Sequence, residues 1–336
     1  MAQPTGGDLH VSRPLTNISV AFMQGNEEFI ADKVFPSVPV DFKSNEYYKY
    51  NRGDWFRTRA QKRAPRTESA GTGWNVTKDS YMCDVQAVHV DVADQDRANV
   101  DTPVLDIDRD ATLLVTRDML LRRELDWVES YFVRNKWTGG GALNTTDQHG
   151  ASTAAANQFI QWDRSSATPI EDFATYSTRM QKRTGMRPNV LVLGQEVFDG
   201  LKNCDEFIER IKYTQRGVLT LELIASLLDI SKVLVPGVVQ NTAEETDTAD
   251  NEDLSAMEFI YGKDALLCYA APSAGLLTPS AGYTFEWTGF LGSVRGSRMK
   301  KFRMEPLEAD RIEAETAYDM KIVSSDLGLF FYDCVQ

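Results

Sequence analysis

The sequence predicts an α+β protein built as two units around one long helix. Three observations predict it. The stretch 104–137 contains no proline or glycine, and Ile107, Ala111, Leu114, Leu121, Leu125, Val128 and Phe132 recur at spacings of three, four or seven, one face of a helix. Segments before it (46–50 and 78–92) and after it (283–290, 299–304, 311–316, 317–323 and 327–334) read as strands. Between these, 168–275 alternates short apolar runs with helical patterns, the mark of an α/β unit. At 336 residues the chain exceeds one usual core, so two domains are expected.

The elements follow in order. The first residues are mixed and polar, with Gly6-Gly7 and no period, and read as an arm over 1–41. Late in it, Phe29, Ile30, Val34 and Phe35 would bury, while Pro36 and Pro39 hold the chain extended. Residues 42–92 change character. Glu46 to Tyr50 is an aromatic strand, followed by Arg52-Gly53-Asp54, by Trp55 and Phe56, and by the basic run Arg57, Arg59, Lys62, Arg63 and Arg66. Lys78 to Val92 then alternates with period two. Two strands joined by a basic tip make a projecting hairpin, marginal alone, whose aromatics need a neighbour. The plainer alternative is a hairpin folded back on its own domain.

The helix expected over 104–137 starts after Thr102-Pro103 among Asp106, Asp108 and Asp110, where free N–H groups favour negative charge. Leu113, Leu120, Trp127 and Tyr131 widen its apolar face, and Gly139-Gly140-Gly141 suits a stop. About thirty helical residues span roughly 45 Å, a beam on which sheets can be laid. Residues 138–166 read as a linker. A second helix opens at Thr168-Pro169 and ends near Thr184, before Gly185 and Pro188. Strands follow at 189–193, 232–239, 258–261 and 265–271, with helices at 196–201, 205–213 and 219–228. The acidic run 241–253 reads as a solvated loop. The closing strands return to the style of the long helix, so the middle unit is inserted into the first.

Chemistry is sparse. The net charge of −13 argues against tight nucleic-acid binding, which needs excess Lys and Arg. The four cysteines lie far apart, without zinc spacing, and no signal segment or run of 18 apolar residues appears. His10, His89 and His149 accompany no nucleophile motif, and neither H-E-x-x-H, G-x-S-x-G nor G-x-G-x-x-G occurs. Gly262-Lys263-Asp264 fails as a phosphate loop, because Met257 stands where glycine is needed and the acid would repel phosphate. The tripeptide at 52–54 is a charged turn at the hairpin base. No catalytic, cofactor or metal residues are therefore expected. The notable groups are apolar and charged side chains on projecting elements, as in a subunit that assembles.

The order arm, hairpin, long helix, inserted α/β unit and closing strands resembles the HK97-like major capsid proteins of tailed bacteriophages. The wording resembles them too, in RPLTNISVAF, NEEFIADKVFPSVPV, YYKYNRGDWFR, RDATLLVTRDMLLRRELDW, NVLVLGQEVFDGL, RIKYTQRGVLT and GLLTPSAGYTFEWTG, which span nearly the whole chain. The resemblance implies an N-terminal arm (1–41), an extended hairpin or E-loop (42–92), a peripheral domain (93–167 and 286–336, with the spine helix at 104–137) and an axial domain (168–285). It implies self-assembly into hexamers and pentamers of an icosahedral shell around double-stranded DNA, held without sequence-specific contacts. Contacts between subunits are expected at Arg52, Trp55, Phe56, Arg57, Arg59, Lys62, Arg63 and Arg66. No scaffolding segment precedes the hairpin, which implies a separate scaffolding protein or earlier cleavage; a portal and a decoration protein are further partners. Some members crosslink a hairpin lysine, and Lys43, Lys49 and Lys62 are available, but no position demands that chemistry. The expected location is the virion, after synthesis in the bacterial cytoplasm, with no membrane partner. Two other readings are an encapsulin-type compartment of the same fold and an α/β enzyme with its site in 168–275.

Overall fold

The structure is a computed structural model that describes residues 24–25, 27–99, 106–139, 147–155, 158–212, 219–243, 256–275, 277–289 and 296–336. Most of the N-terminal arm, residues 1–23, and most of the acidic run, 244–255, lie outside the described residues. In chain order the elements are α1 (Ala31–Val34), β1 (Ser37–Val40), β2 (Ser44–Tyr50), α2 (Arg52–Trp55), β3 (Val76–Met82), β4 (Asp84–Ala93), α3 (Asp94–Asn99) and the long α4 (Ile107–Tyr131). Then come β5 (Gln148–Ala151), β6 (Gln158–Ile160), α5 (Pro169–Thr184), β7 (Val190–Leu193), α6 (Gln195–Lys202), α7 (Asp205–Ile211), α8 (Leu221–Leu228), β8 (Lys232–Leu234), β9 (Val239–Asn241) and β10 (Met257–Phe259). The chain closes with β11 (Ala265–Cys268), β12 (Gly282–Trp287), β13 (Ser297–Met304), β14 (Ala309–Ile322) and β15 (Gly328–Tyr332).

Two sheets lie against α4. The first is organised on β14, which pairs antiparallel with β4, β13 and β12, while β1 adds to β12 in parallel. Successive side chains of β14 point to opposite faces. Ile312 and Ala314 meet Ala111, Val115 and Met119 of α4. On the other face Arg311 grips Asp91 through two 2.7 Å bonds, and Glu315 accepts from Arg298 and Lys300. The second sheet runs β6-β5-β15-β11-β7-β8. Leu191, Leu193, Leu267, Leu329 and Phe331 face the helices α5 to α8, whereas Val190, Val192, Leu266, Cys268 and Phe330 face Trp127, Val128, Phe132, Trp137 and Phe35. Being covered on both faces explains why β7 and β11 are unbroken apolar runs.

The helix α4 is thus the common support, but its bounds and rotation differ from expectation. It covers 107–131, about 37 Å, rather than 104–137. Residues 104 and 105 lie outside the described residues. Asp106 caps its start by accepting the Arg109 N–H, and it stops at Phe132, which turns into the core. Gly139 is no helix stop; it donates to the Gly328 carbonyl at 2.8 Å. Leu113 and Leu114 face outward, while Ala111, Val115, Met119, Glu124 and Trp127 face inward. Apolar residues ring this helix, and each position turns it by about 100°, so period alone left its rotation open.

Three strand assignments change. The run expected as one strand over 78–92 is two: β3 pairs with β2 in the hairpin, and after Cys83 the chain enters the first sheet as β4. Period two continues through the junction, so it carries no sign of the change of partner. Two expected strands at 311–316 and 317–323 are one, β14. The expected linker 138–166 holds β5 and β6, and these join β15 and strands of the 168–285 segment in one sheet. Conversely, β12, from the end of that segment, lies in the first sheet.

Close backbone approach makes Gly328 sensitive. A Cβ there would sit 2.0 Å from the Trp137 ring, which is wholly buried. Gly328→Ala should cost about 2–3 kcal/mol by overpacking. A urea midpoint lowered at unchanged slope would show it, and an unchanged midpoint would contradict this packing.

Candidate assembly surface

The hairpin is closed at its root and at its far end by different means. At the root, Tyr47 and Tyr81 stack on Phe285 of β12, with ring centres 5.4 and 4.5 Å apart. The Cys83 N–H donates to the Lys43 carbonyl at 2.8 Å. At the far end the Asn51 side chain accepts the Gly53 N–H at 3.0 Å and so caps α2, a single turn. Asp54 accepts the Asn75 N–H at 3.0 Å, which ties off the loop between α2 and β3. The residues 57–78 are exposed throughout.

The predicted contact residues divide into two sets. Arg57, Arg59, Lys62, Arg63 and Arg66 all stand on this exposed loop. Arg59 comes only within 4.0 Å of Asp54, Arg63 donates to the Thr67 carbonyl, and Arg66 takes a left-handed backbone with φ 66. Arg52, Trp55 and Phe56 lie on or beside α2. Trp55 meets Tyr50 edge-on at 6.0 Å, Arg52 pairs with Asp326 at 2.9 Å, and the Phe56 ring lies against Gly185. Phe42, Tyr48, Trp55, Phe56 and Trp74 are each more than half exposed. So many large apolar groups on one thin element mark an interaction surface.

A second set, which sequence reading did not single out, fixes the arm root. Glu124 on α4 is buried, and its carboxylate accepts the N–H of Ile30 at 2.9 Å, the N–H of Ala31 at 3.0 Å and the Tyr261 hydroxyl. Burial pushes its carboxyl above the usual range, against the pull of these three donors. Beside it, Arg123 pairs with Asp32 and with Glu286. Upstream, the Gln24 side chain both donates to and accepts from the Val239 backbone, and Glu28 accepts the Gly237 N–H at 2.6 Å. The only signal in the sequence was an acid on the apolar side of a helix.

Among the described residues the histidines and cysteines do not gather at one site. All four cysteines are buried, and burial pushes the Cys83 and Cys268 thiols up to about 12, far from the thiolate form. Among the described residues no group of three or more His, Cys, Asp or Glu could hold a metal ion. Among them, too, no helix is long and apolar enough to cross a membrane. His89 stands on β4 opposite Glu313, and His149 stacks on Tyr332; His10 lies outside the described residues.

Two half-buried acids, Asp172 and Asp264, carry a pH dependence. Burial raises Asp172 and Asp264 from 3.8 to about 6. The folded chain holds these protons more firmly than the unfolded one. Their stabilisation is complete below about pH 4 and is lost as pH rises to about 6. Asp264→Asn should therefore raise stability at pH 7 by on the order of 1–2 kcal/mol, after allowing for partial solvent screening. It should give no gain at pH 4, and equal urea midpoints for variant and parent at both pH values would refute it.

Comparison with solved structures decides the fold. A phage-related protein from Bordetella bronchiseptica superposes with a TM-score of 0.67 at 18% identity, covering 93% of this chain and 94% of that one. The mature capsid of bacteriophage PhiM1 gives a TM-score of 0.59 at 12% identity, over 96% of this chain and 92% of that one. The chain has the HK97-like capsid fold. No family model matches it. A curated relative, the major capsid protein of Burkholderia phage BcepMu, is 22% identical over 328 residues, 94% of this chain and 93% of the relative. The five cations stand on the exposed loop of the hairpin, whereas Arg52 and Phe56 contact the body at Asp326 and Gly185.

Proposed function

We propose that the chain is the major capsid protein of a tailed bacteriophage, which self-assembles as hexamers and pentamers into an icosahedral shell enclosing double-stranded DNA. The observation that carries the reading is the E-loop on an HK97-like body, with five cations and several exposed aromatics that this chain's own core leaves uncovered. A neighbouring copy is the partner they fit. The net charge of −13 suits a container that does not hold its DNA tightly. The role is structural rather than catalytic. Residues 1–41 act as the N-terminal arm, 93–167 and 286–336 as the peripheral domain, and 168–285 as the axial domain. A separate scaffolding protein and a portal assist assembly, and a decoration protein on the outer surface would complete the set. Subunits are made in the bacterial cytoplasm and end in the virion.

The test is electron microscopy and static light scattering of the purified chain, expressed with and without its flanking genes. Shells or capsomers are expected. A small monodisperse oligomer at every salt and pH would instead favour an enzyme with its site in 168–275. Particles filled with a cargo enzyme, encoded beside a peroxidase or ferritin-like gene, would move the reading to an encapsulin. Portal and terminase genes nearby would support the phage.

A further inference from the structure

The far end of the E-loop is docked at a place remote from its root. Arg52 Nη1 stands 2.9 Å from Asp326 Oδ2. Asp326 belongs to the 3-10 turn Ser325–Leu327 that feeds β15. Its carboxylate is already held, by Arg183 at 3.0 Å and by the Thr138 hydroxyl at 2.9 Å. The acceptor is therefore in place whether or not Arg52 engages it. Four positions along, the Phe56 ring lies on Gly185, the left-handed residue (φ 74) that ends α5. A Cβ at that position would come within 2.8 Å of the ring's Cζ, so only glycine leaves the seat open. One ion pair and one ring seat form a matched two-point contact between the E-loop and the junction of α5 with β15.

This contact is built to open. The Arg52 and Asp326 side chains stay 40% and 25% exposed, and Phe56 stays 65% exposed. Ion pairs this wet contribute little to stability. The contact buries no core residue, and the loop beyond it, 57–75, remains exposed. Yet the same contact holds back the loop that carries Arg57, Arg59, Lys62, Arg63 and Arg66, the cations that the proposed function needs for a neighbouring copy. An E-loop docked on its own body cannot swing those cations onto another.

We propose that this contact is a latch made within one chain: the free subunit holds its E-loop end on Asp326 and Gly185, and the latch must open before the subunit joins a neighbour. The latch restrains premature association, and its opening frees the loop cations for contacts between copies as the shell forms. Its role in assembly rests on the shell reading; the docking itself does not.

Two measurements on the full chain test it. Spin labels at Ser69→Cys, on the loop, and Lys182→Cys, near the end of α5, report the position of the loop, and the four native cysteines are buried. In the parent, electron–electron resonance should give one narrow distance distribution. Adding Arg52→Ala and Phe56→Ala should broaden it; both side chains are partly or largely exposed, so the fold should survive. Light scattering should then show the unlabelled double variant assembling about three- to tenfold faster than the parent. An unchanged narrow distribution would overturn the latch. Slower or absent assembly by the double variant, beside a parent that assembles, would mean that these residues act between copies and would equally overturn it. If the parent itself never assembles, the shell reading and the latch's role in assembly fall, while the distance measurement still decides whether the end is docked.

Discussion

Changing Arg57, Arg59, Arg63 and Arg66 together to Glu should leave a folded subunit that forms no shells. All four side chains stand on the exposed loop, and their contacts within the chain are slight. Surface changes of this kind usually shift stability by less than about 0.5 kcal/mol each. Circular dichroism and the urea midpoint should therefore match the parent closely. Association should not survive. The changes take the net charge of the chain from −13 to −21 and turn this basic segment acidic. A loop that should approach an acidic neighbour as a cation would then approach it as an anion, and like charges brought together at an interface cost several kcal/mol. Repeated at every contact of a closed shell, that cost is prohibitive. Because the attraction is electrostatic and exposed, parent assembly should also weaken as salt shortens the screening length to about 8 Å or less. Normal particles of the fourfold variant in electron micrographs would contradict the role given to the E-loop.

Glu124→Ala should be the most damaging single truncation away from the aromatic core, at about 3–5 kcal/mol. The carboxylate is 1% exposed and takes three donors from two other parts of the chain, the arm root at Ile30 and Ala31 and the segment before β11 at Tyr261. Alanine leaves two backbone N–H groups and a hydroxyl buried without their acceptor, and a cavity besides. Arg123 gives no substitute, since it donates and Asp32 and Glu286 already engage it. Glu124→Gln should fall between alanine and the parent, because one oxygen still accepts while its amide faces another donor. Denaturant unfolding measures the loss, and hydrogen exchange locates it: the Ile30 and Ala31 amides should lose protection first. Full protection of both amides in the alanine variant would show that something other than Glu124 holds the arm root.

Much of the fold was legible in the residues, and the illegible part has a common cause. The helix α5 shows both ends in the sequence, proline at its first position and Gly185 in the left-handed cap, because helix termini are local events. The aromatic strand β2 and the basic loop beyond Phe56 were likewise plain. The turn of α4 about its axis was not, since Leu113 and Leu114 match a buried stripe as well as Val115 and Met119 do. Nor was the break at Cys83, where one alternating run leaves the E-loop for the first sheet. In sequence the contact residues form one group over 52–66, yet the structure sets the five loop cations apart from Arg52 and Phe56. Nothing near Arg52 in sequence points to Asp326.

By itself the sequence determined the kinds of element, their order along the chain, and the concentration of positive charge between the strands of one hairpin. These depend on backbone preference and side-chain period over a few residues, which neighbours in the chain can specify. Tertiary structure alone decided which sheet each strand entered, which acid of α4 went inside, and where the E-loop came to rest. Those outcomes depend on partners tens to hundreds of residues away, as Glu124 does on Ile30 and Tyr261. A strand's alternation states that one face is covered, and the surface that covers it exists only once the rest of the chain has packed.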